Sequence, residues 1–120
     1  MNNPTPAAHP MHLHGHNMQI LSEGPGNWDG TIVRSSNPMR RDVQQLRPNG
    51  HMVWQITTDN PGAWTFHCHI VWHSSGGLVI TILERPEDIK RGDEDYRALT
   101  CDNWMKYTNG ATVEQVDSGI

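Results

Sequence analysis

Large apolar side chains are in short supply in this chain: Leu, Ile, Val and Phe account for 22 of 120 residues, with a single Phe. That 18% share falls just under the roughly 20% below which a self-sufficient core becomes doubtful. The length suits one domain, and folding at this size buries about two-thirds of the unfolded surface. A net charge of only −4 removes charge repulsion as the reason for the shortage. The composition instead predicts a piece that packs against further protein. Basic clusters are lacking as well, none being longer than Arg40-Arg41, so there is no footprint for nucleic acid. No apolar run approaches a membrane span. Met1-Asn-Asn-Pro4 has neither the basic start nor the apolar stretch of an export signal. Asn-X-Ser/Thr sequons with X other than Pro are absent, and two cysteines, Cys68 and Cys101, are too few for a disulfide framework.

What the chain has is histidine, eight in all. Four lie in the run His9-Pro-Met-His-Leu-His-Gly-His16 and three in His67-Cys-His-Ile-Val-Trp-His73. On an extended strand alternate residues face opposite ways, so His67 and His69 project to one side and Cys68 to the other. One short strand can then serve two metal sites. A thiolate with two imidazoles selects copper in a trigonal electron-transfer site, and imidazoles without sulfur suit a separate copper centre. His12 and His14 share a face by the same alternation. Taken alone such a pair is more often a surface or zinc feature; joined to the second run it is not.

These two runs, followed by Gly76-Gly77-Leu78, resemble the two C-terminal copper signatures of multicopper oxidases. Thr58-Asp-Asn-Pro-Gly-Ala-Trp64, Asn37-Pro-Met-Arg-Arg-Asp-Val43 and the terminal Asp117-Ser-Gly-Ile120 are similar to fungal laccases of the ascomycete type. The resemblance implies an all-β, cupredoxin-like Greek-key sandwich, here an incomplete third domain over residues 1–86, followed by a helical extension and tail over 87–120. It implies a C-terminal piece of a secreted three-domain enzyme, with half of the trinuclear cluster's histidines supplied by the absent N-terminal cupredoxin domains. Four coppers are implied per complete enzyme. His9, Cys68 and His73 would hold the type 1 ion, His12 the type 2 ion, and His14, His67 and His69 would serve the binuclear type 3 pair. Phenols or aromatic amines would deliver electrons at His73, and Cys68 would pass them through His67 and His69 to a centre that reduces O2. Leu78 takes the axial place of the type 1 site. Leucine cannot coordinate, and loss of a weak thioether donor favours Cu(I), hence a relatively high potential. By the same resemblance Cys101 pairs with a cysteine of the first domain, the alternative being a buried thiol on a helix. Asp117–Ile120 would plug the solvent channel to the cluster.

A ferroxidase or bilirubin-oxidase-like enzyme would share these ligands, but bilirubin oxidases are expected to carry Met at position 78 and ferroxidases acidic residues near His73. A single-domain blue copper carrier would leave His12, His14, His67 and His69 without a role. Periodicity predicts strands at Met18–Ser22, Met52–Thr58, Trp64–Ile70 and Leu78–Glu84, the last with apolar residues on both faces and so expected to be covered on both. Asp93 is expected to cap a helix carrying Tyr96, Leu99, Trp104 and Tyr107 at helical spacing, with Asn109-Gly110 as its stop. His16 is assigned a structural hydrogen bond and His51 a solvated loop position. Trp64 and Trp72 are expected to pack over the type 1 site, and Arg40, Arg41 and Asp42 to form an ion pair.

Overall fold

A computed structural model describes residues 1–90, 92 and 94–110. The alternation in Met18-Gln-Ile-Leu-Ser22 sends Met18, Ile20 and Ser22 inward, and this segment forms the long central strand of one sheet. In chain order the elements are β1 (Asn2–Asn3), β2 (His9–Leu13), β3 (Met18–Pro25), β4 (Met39–Arg41), β5 (Val43–Leu46), β6 (Gly50–Gln55), β7 (Gly62–Cys68), α1 (Val71–Ser75), β8 (Val79–Glu84), a single 3-10 turn (Pro86–Asp88) and α2 (Glu94–Gly110). The strands make two four-stranded antiparallel sheets, ordered β1-β6-β3-β4 and β5-β2-β7-β8. Between them lies the core: Met11, Leu13, Met18, Ile20, Leu46, Met52, Phe66 and Cys68. Three of these are methionines, whose unbranched thioethers fill irregular gaps that a core poor in Leu and Phe leaves. The β3–β6 register shifts between Ile20 and Ser22. There the Leu21 carbonyl, released from the ladder, accepts from the amides of Val33 and Arg34 at 3.1 and 2.8 Å and anchors the long loop.

All four expected strands form, with shifted ends. β6 stops at Gln55 instead of Thr58, and β7 at Cys68 instead of Ile70. β4 and β5 were not expected; both are short, and β5 is a sheet edge paired on one side only. The ion pair assigned to Arg40, Arg41 and Asp42 does not form. Arg40 reaches Asn37 Oδ1 at 3.3 Å, Arg41 Nε lies 3.0 Å from Met39 Sδ, and Asp42 contributes its backbone carbonyl to His12 and Leu13. In β8 the cover is incomplete on both faces: Ile82 packs against the core, but Ile80 and Leu83, on opposite faces, are 59% and 61% exposed. The helix spans Glu94–Gly110, and Tyr96, Leu99, Trp104 and Tyr107 are all exposed on it. The cap at Asp93 and the tail from Ala111, with Asp117–Ile120, lie outside the described residues.

Candidate metal centre

One strand pairing brings the two histidine runs together. β2 lies antiparallel to β7 with Met11 opposite Cys68, His12 opposite His67 and Leu13 opposite Phe66. Directly opposed residues share a face, so His12 and His67 emerge on one side of the sheet while Met11 and Cys68 enter the core on the other. The amide of His69 continues the match by donating to the Pro10 carbonyl at 2.7 Å.

The first donor set is His9, Cys68 and His73. After Cys68 the chain turns at Ile70 into α1, whose first turn is closed by the His73 and Ser74 amides on the Ile70 carbonyl at 3.0 and 3.1 Å. That single turn returns His73 to the sulfur. Cys68 Sγ lies 3.5 Å from His73 Nδ1 and 3.7 Å from His9 Nδ1, and the two nitrogens are 3.2 Å apart. A point equidistant from the three donors lies about 2 Å from each, the length of metal–imidazole bonds. Cys68 is fully buried and the imidazoles half-buried. Burial, and then the neighbouring His73, lower the pKa of His9 below its ordinary value, favouring the neutral imidazole that binds metal. Leu78 ties into this set through its backbone. Its carbonyl accepts from the Cys68 amide at 3.1 Å, and its amide donates to the His73 carbonyl at 3.0 Å. The Leu78 side chain lines an open apolar hollow of about 120 Å³ with Met11 and Phe66, and another with His9 and Leu46.

The second set is His12, His14 and His67, whose donor atoms lie within 4.8 Å of one another. His12 Nδ1 donates to the Asp42 carbonyl and His67 Nδ1 to the Cys68 carbonyl, each at 2.9 Å. A carbonyl only accepts, so the proton sits on Nδ1 and the Nε2 lone pair is left free, the arrangement that orients histidine ligands. His67 Nε2 faces His14 Nε2 at 3.1 Å. His69 is exposed and stands at the margin, its ring 5.7 Å from those of His12 and His67. Burial first, then His12, His67 and His69, lower the pKa of His14. Sulfur with two nitrogens in one set and nitrogens alone in the other is the donor chemistry expected of two kinds of copper site, and the residues present fit that metal.

Two polar residues escaped sequence reasoning. Ser74, buried, donates its hydroxyl to the Cys68 carbonyl and stands 3.4 Å from His67 Nδ1. Glu84, buried at the end of β8, faces His16 at 2.7 Å. Neither carries a local signal, since a serine beside a histidine and a glutamate at a strand end are ordinary on a surface. His16 makes the structural hydrogen bond expected of it, from Nδ1 to the His14 carbonyl at 3.1 Å. Trp64 does not cover the first set. Its ring fills the space a Cβ of Gly15 would need and meets the His16 ring edge-on at 5.8 Å. Trp72 is 75% exposed with its ring 6.4 Å from that of His73. His51 lies on β6 rather than in a loop, and its Nδ1 donates to the Gly26 carbonyl at 3.1 Å. Cys101 is exposed on α2 with a free thiol, against the buried alternative.

Residues 1–88 match the sequence profile of a family described as multicopper oxidase. The chain is 39% identical to Laccase-2 of Podospora anserina, over 93% of this chain and 21% of that protein. To Laccase-1 of Melanocarpus albomyces it is 40% identical, over 93% and 21%. The crystal structure of the laccase from Botrytis aclada superposes with a TM-score of 0.78 at 37% identity, covering 94% of this chain and 22% of that one. The sandwich is thus cupredoxin-like, and the chain spans about a fifth of the length of the relatives it matches.

Proposed function

Because this chain belongs to the multicopper oxidase family, whose cofactor is copper, we propose that it is the C-terminal part of a laccase. The whole enzyme would take single electrons from phenols or aromatic amines and reduce O2 to water. Four phenols each give up one electron and one proton, and O2 accepts four of each to become two waters. The observation that carries this reading is the division of β7 between two donor sets, with Cys68 in one and its neighbour His67 in the other.

In this reading His9, Cys68 and His73 hold type 1 copper, His12 holds type 2 copper, and His14, His67 and His69 serve the type 3 pair, with the remaining ligands supplied by preceding cupredoxin domains. Copper would supply a one-electron couple at the first set and an oxygen-reducing centre at the second. The protein supplies position and electronics. Cys68 offers a covalent path through its peptide bonds to His67 and His69, and the hydrogen bond from His67 Nδ1 to the Cys68 carbonyl adds a second connection. Half-buried His73 lies beside the exposed Trp72, where an aromatic substrate would approach. Leu78, whose backbone is bonded to Cys68 and His73, would bring an apolar side chain rather than a donor to copper held by the first set. Residues 1–86 would form the cupredoxin part and 87–120 an extension whose exposed Cys101 would bridge to the first domain. The parent is secreted.

Oxygen uptake by the intact parent enzyme tests the reading. Four molecules of a phenol such as 2,6-dimethoxyphenol should be oxidised per O2, with no peroxide released. Two per O2 with accumulating peroxide, or oxidation of Fe(II) but of no phenol, would contradict it.

A further inference from the structure

We propose that Glu84 and His16 are positioning residues for His14, fixing the turn from which its imidazole reaches the second donor set. The inference rests on the functional reading above. It starts from a carboxylate and an imidazole almost out of water, with side-chain exposures of 2% and 4%. Burying such groups is costly unless each is paired. Glu84 Oε2 lies 2.7 Å from His16 Nε2, a close polar contact rather than an aligned hydrogen bond, and among the described residues neither atom has a hydrogen-bond partner. That contact is the compensation the two buried groups have. The second oxygen of Glu84 accepts from the Asn60 amide at 2.8 Å.

From these two contacts the network closes on the turn that follows His14. His16 Nδ1 donates to the His14 carbonyl at 3.1 Å, and Asn60 Nδ2 donates to the Gly15 carbonyl at 3.0 Å. Both donors are held by the same carboxylate. Trp64 completes the clamp, donating from Nε1 to the Asn60 carbonyl at 2.7 Å. Its ring lies 2.6 Å from where a Cβ on Gly15 would stand. On the strand side the His14 amide donates to the Thr65 carbonyl at 2.9 Å. The peptide groups on both sides of the His14 Cα are thereby fixed, while its side chain extends to 3.1 Å from His67 Nε2. None of the clamp residues hydrogen-bonds to His9, Cys68 or His73 among the described residues. The two donor sets of one chain therefore provide an internal control: a clamp that positions His14 acts on one set and spares the other.

The test uses the intact copper-loaded enzyme with Glu84→Ala and the volume-conserving Glu84→Gln, read by copper content, EPR and the thiolate-to-copper absorption. Glu84→Ala should weaken copper retention at the second set by about 10- to 100-fold, the usual cost of losing an outer partner of a histidine ligand. The absorption from Cys68 should remain at its parental intensity. Glu84→Gln keeps an acceptor for the Asn60 amide and should recover part of that copper. Full copper at both sets in Glu84→Ala with only a lower melting temperature would overturn the proposal, leaving the pair a packing element. So would a parallel loss of both copper populations in Glu84→Gln. A parent enzyme that binds no copper at the second set would defeat the functional reading instead.

Discussion

His67 Nδ1 donates to the carbonyl of its own neighbour, Cys68, at 2.9 Å. A member of one donor set is thus hydrogen-bonded to the backbone of the residue that anchors the other. Ser74 donates its hydroxyl to the same carbonyl, and because Ser74 belongs to the helical turn that carries His73, the oxygen joins β7 to α1.

Ser74→Ala removes one of these donors from a buried position. Its carbonyl acceptor keeps the His67 bond, so the cost should stay near that of one neutral hydrogen bond, about 1 kcal/mol. Denaturant unfolding of the parent and variant measures it. Copper content should be unchanged. A loss well above about 3 kcal/mol would show that the serine also supports the packing of α1.

Leu78→Met introduces a thioether where the backbone of residue 78 is already bonded to both Cys68 and His73. A weak axial donor stabilises Cu(II). The variant should keep its colour and show a lower type 1 potential by redox titration. An unchanged or raised potential would mean that the side chain does not occupy the axial position.

The facing of the second histidine run was legible in the sequence because it is local, whereas the joining of His9 to Cys68 and of His12 and His14 to His67 was available only through the family resemblance. His67, Cys68 and His69 separate by strand alternation alone, and the return of His73 needs only the one helical turn that α1 supplies. Partnerships across the fold that no motif carries were not legible. Glu84 meets His16 only because β8 lies beside β7 and β7 beside β2, an arrangement that no spacing along the chain encodes. Trp64 was misplaced for the same reason: its position on β7 was readable, but not that the turn at Gly15 would leave a space its ring fills. The alternating apolar residues of β8 identified a strand correctly and its burial wrongly, since periodicity reports which side chains share a face and not what covers that face.

Gly15 is the turn residue at φ +71, and an added Cβ would lie 2.6 Å from the Trp64 ring. Gly15→Ala should therefore cost more than the roughly 1–2 kcal/mol of a left-handed backbone alone, and should loosen the second donor set before the first. Thermal unfolding with copper analysis reads both effects. A melting temperature equal to the parent's would contradict the observed contact.

Acid should weaken the copper-free protein near neutrality. The pKa values of His9 and His14 are lowered from 6.5 in the folded state, so just below that pH the unfolded chain binds more protons than the folded one. Stability then rises with pH across this window and is lost as pH falls through it. Protons also compete with copper for the same lone pairs, so metal affinity falls in the same direction. Unfolding midpoints from about pH 7.5 down to about pH 5 follow the change. A midpoint that rises on acidification over that range would contradict it.

The central claim is that one strand serves two separable metal sets, and Cys68→Ser in the intact enzyme tests it most directly. A serine hydroxyl cannot replace the thiolate, but it leaves the backbone carbonyl of residue 68 and its bond from His67 in place. Copper quantification with EPR and visible spectroscopy should show the thiolate absorption and phenol oxidation gone and the copper of the histidine-only set retained. Retention of the blue absorption, or loss of all copper together, would contradict the account.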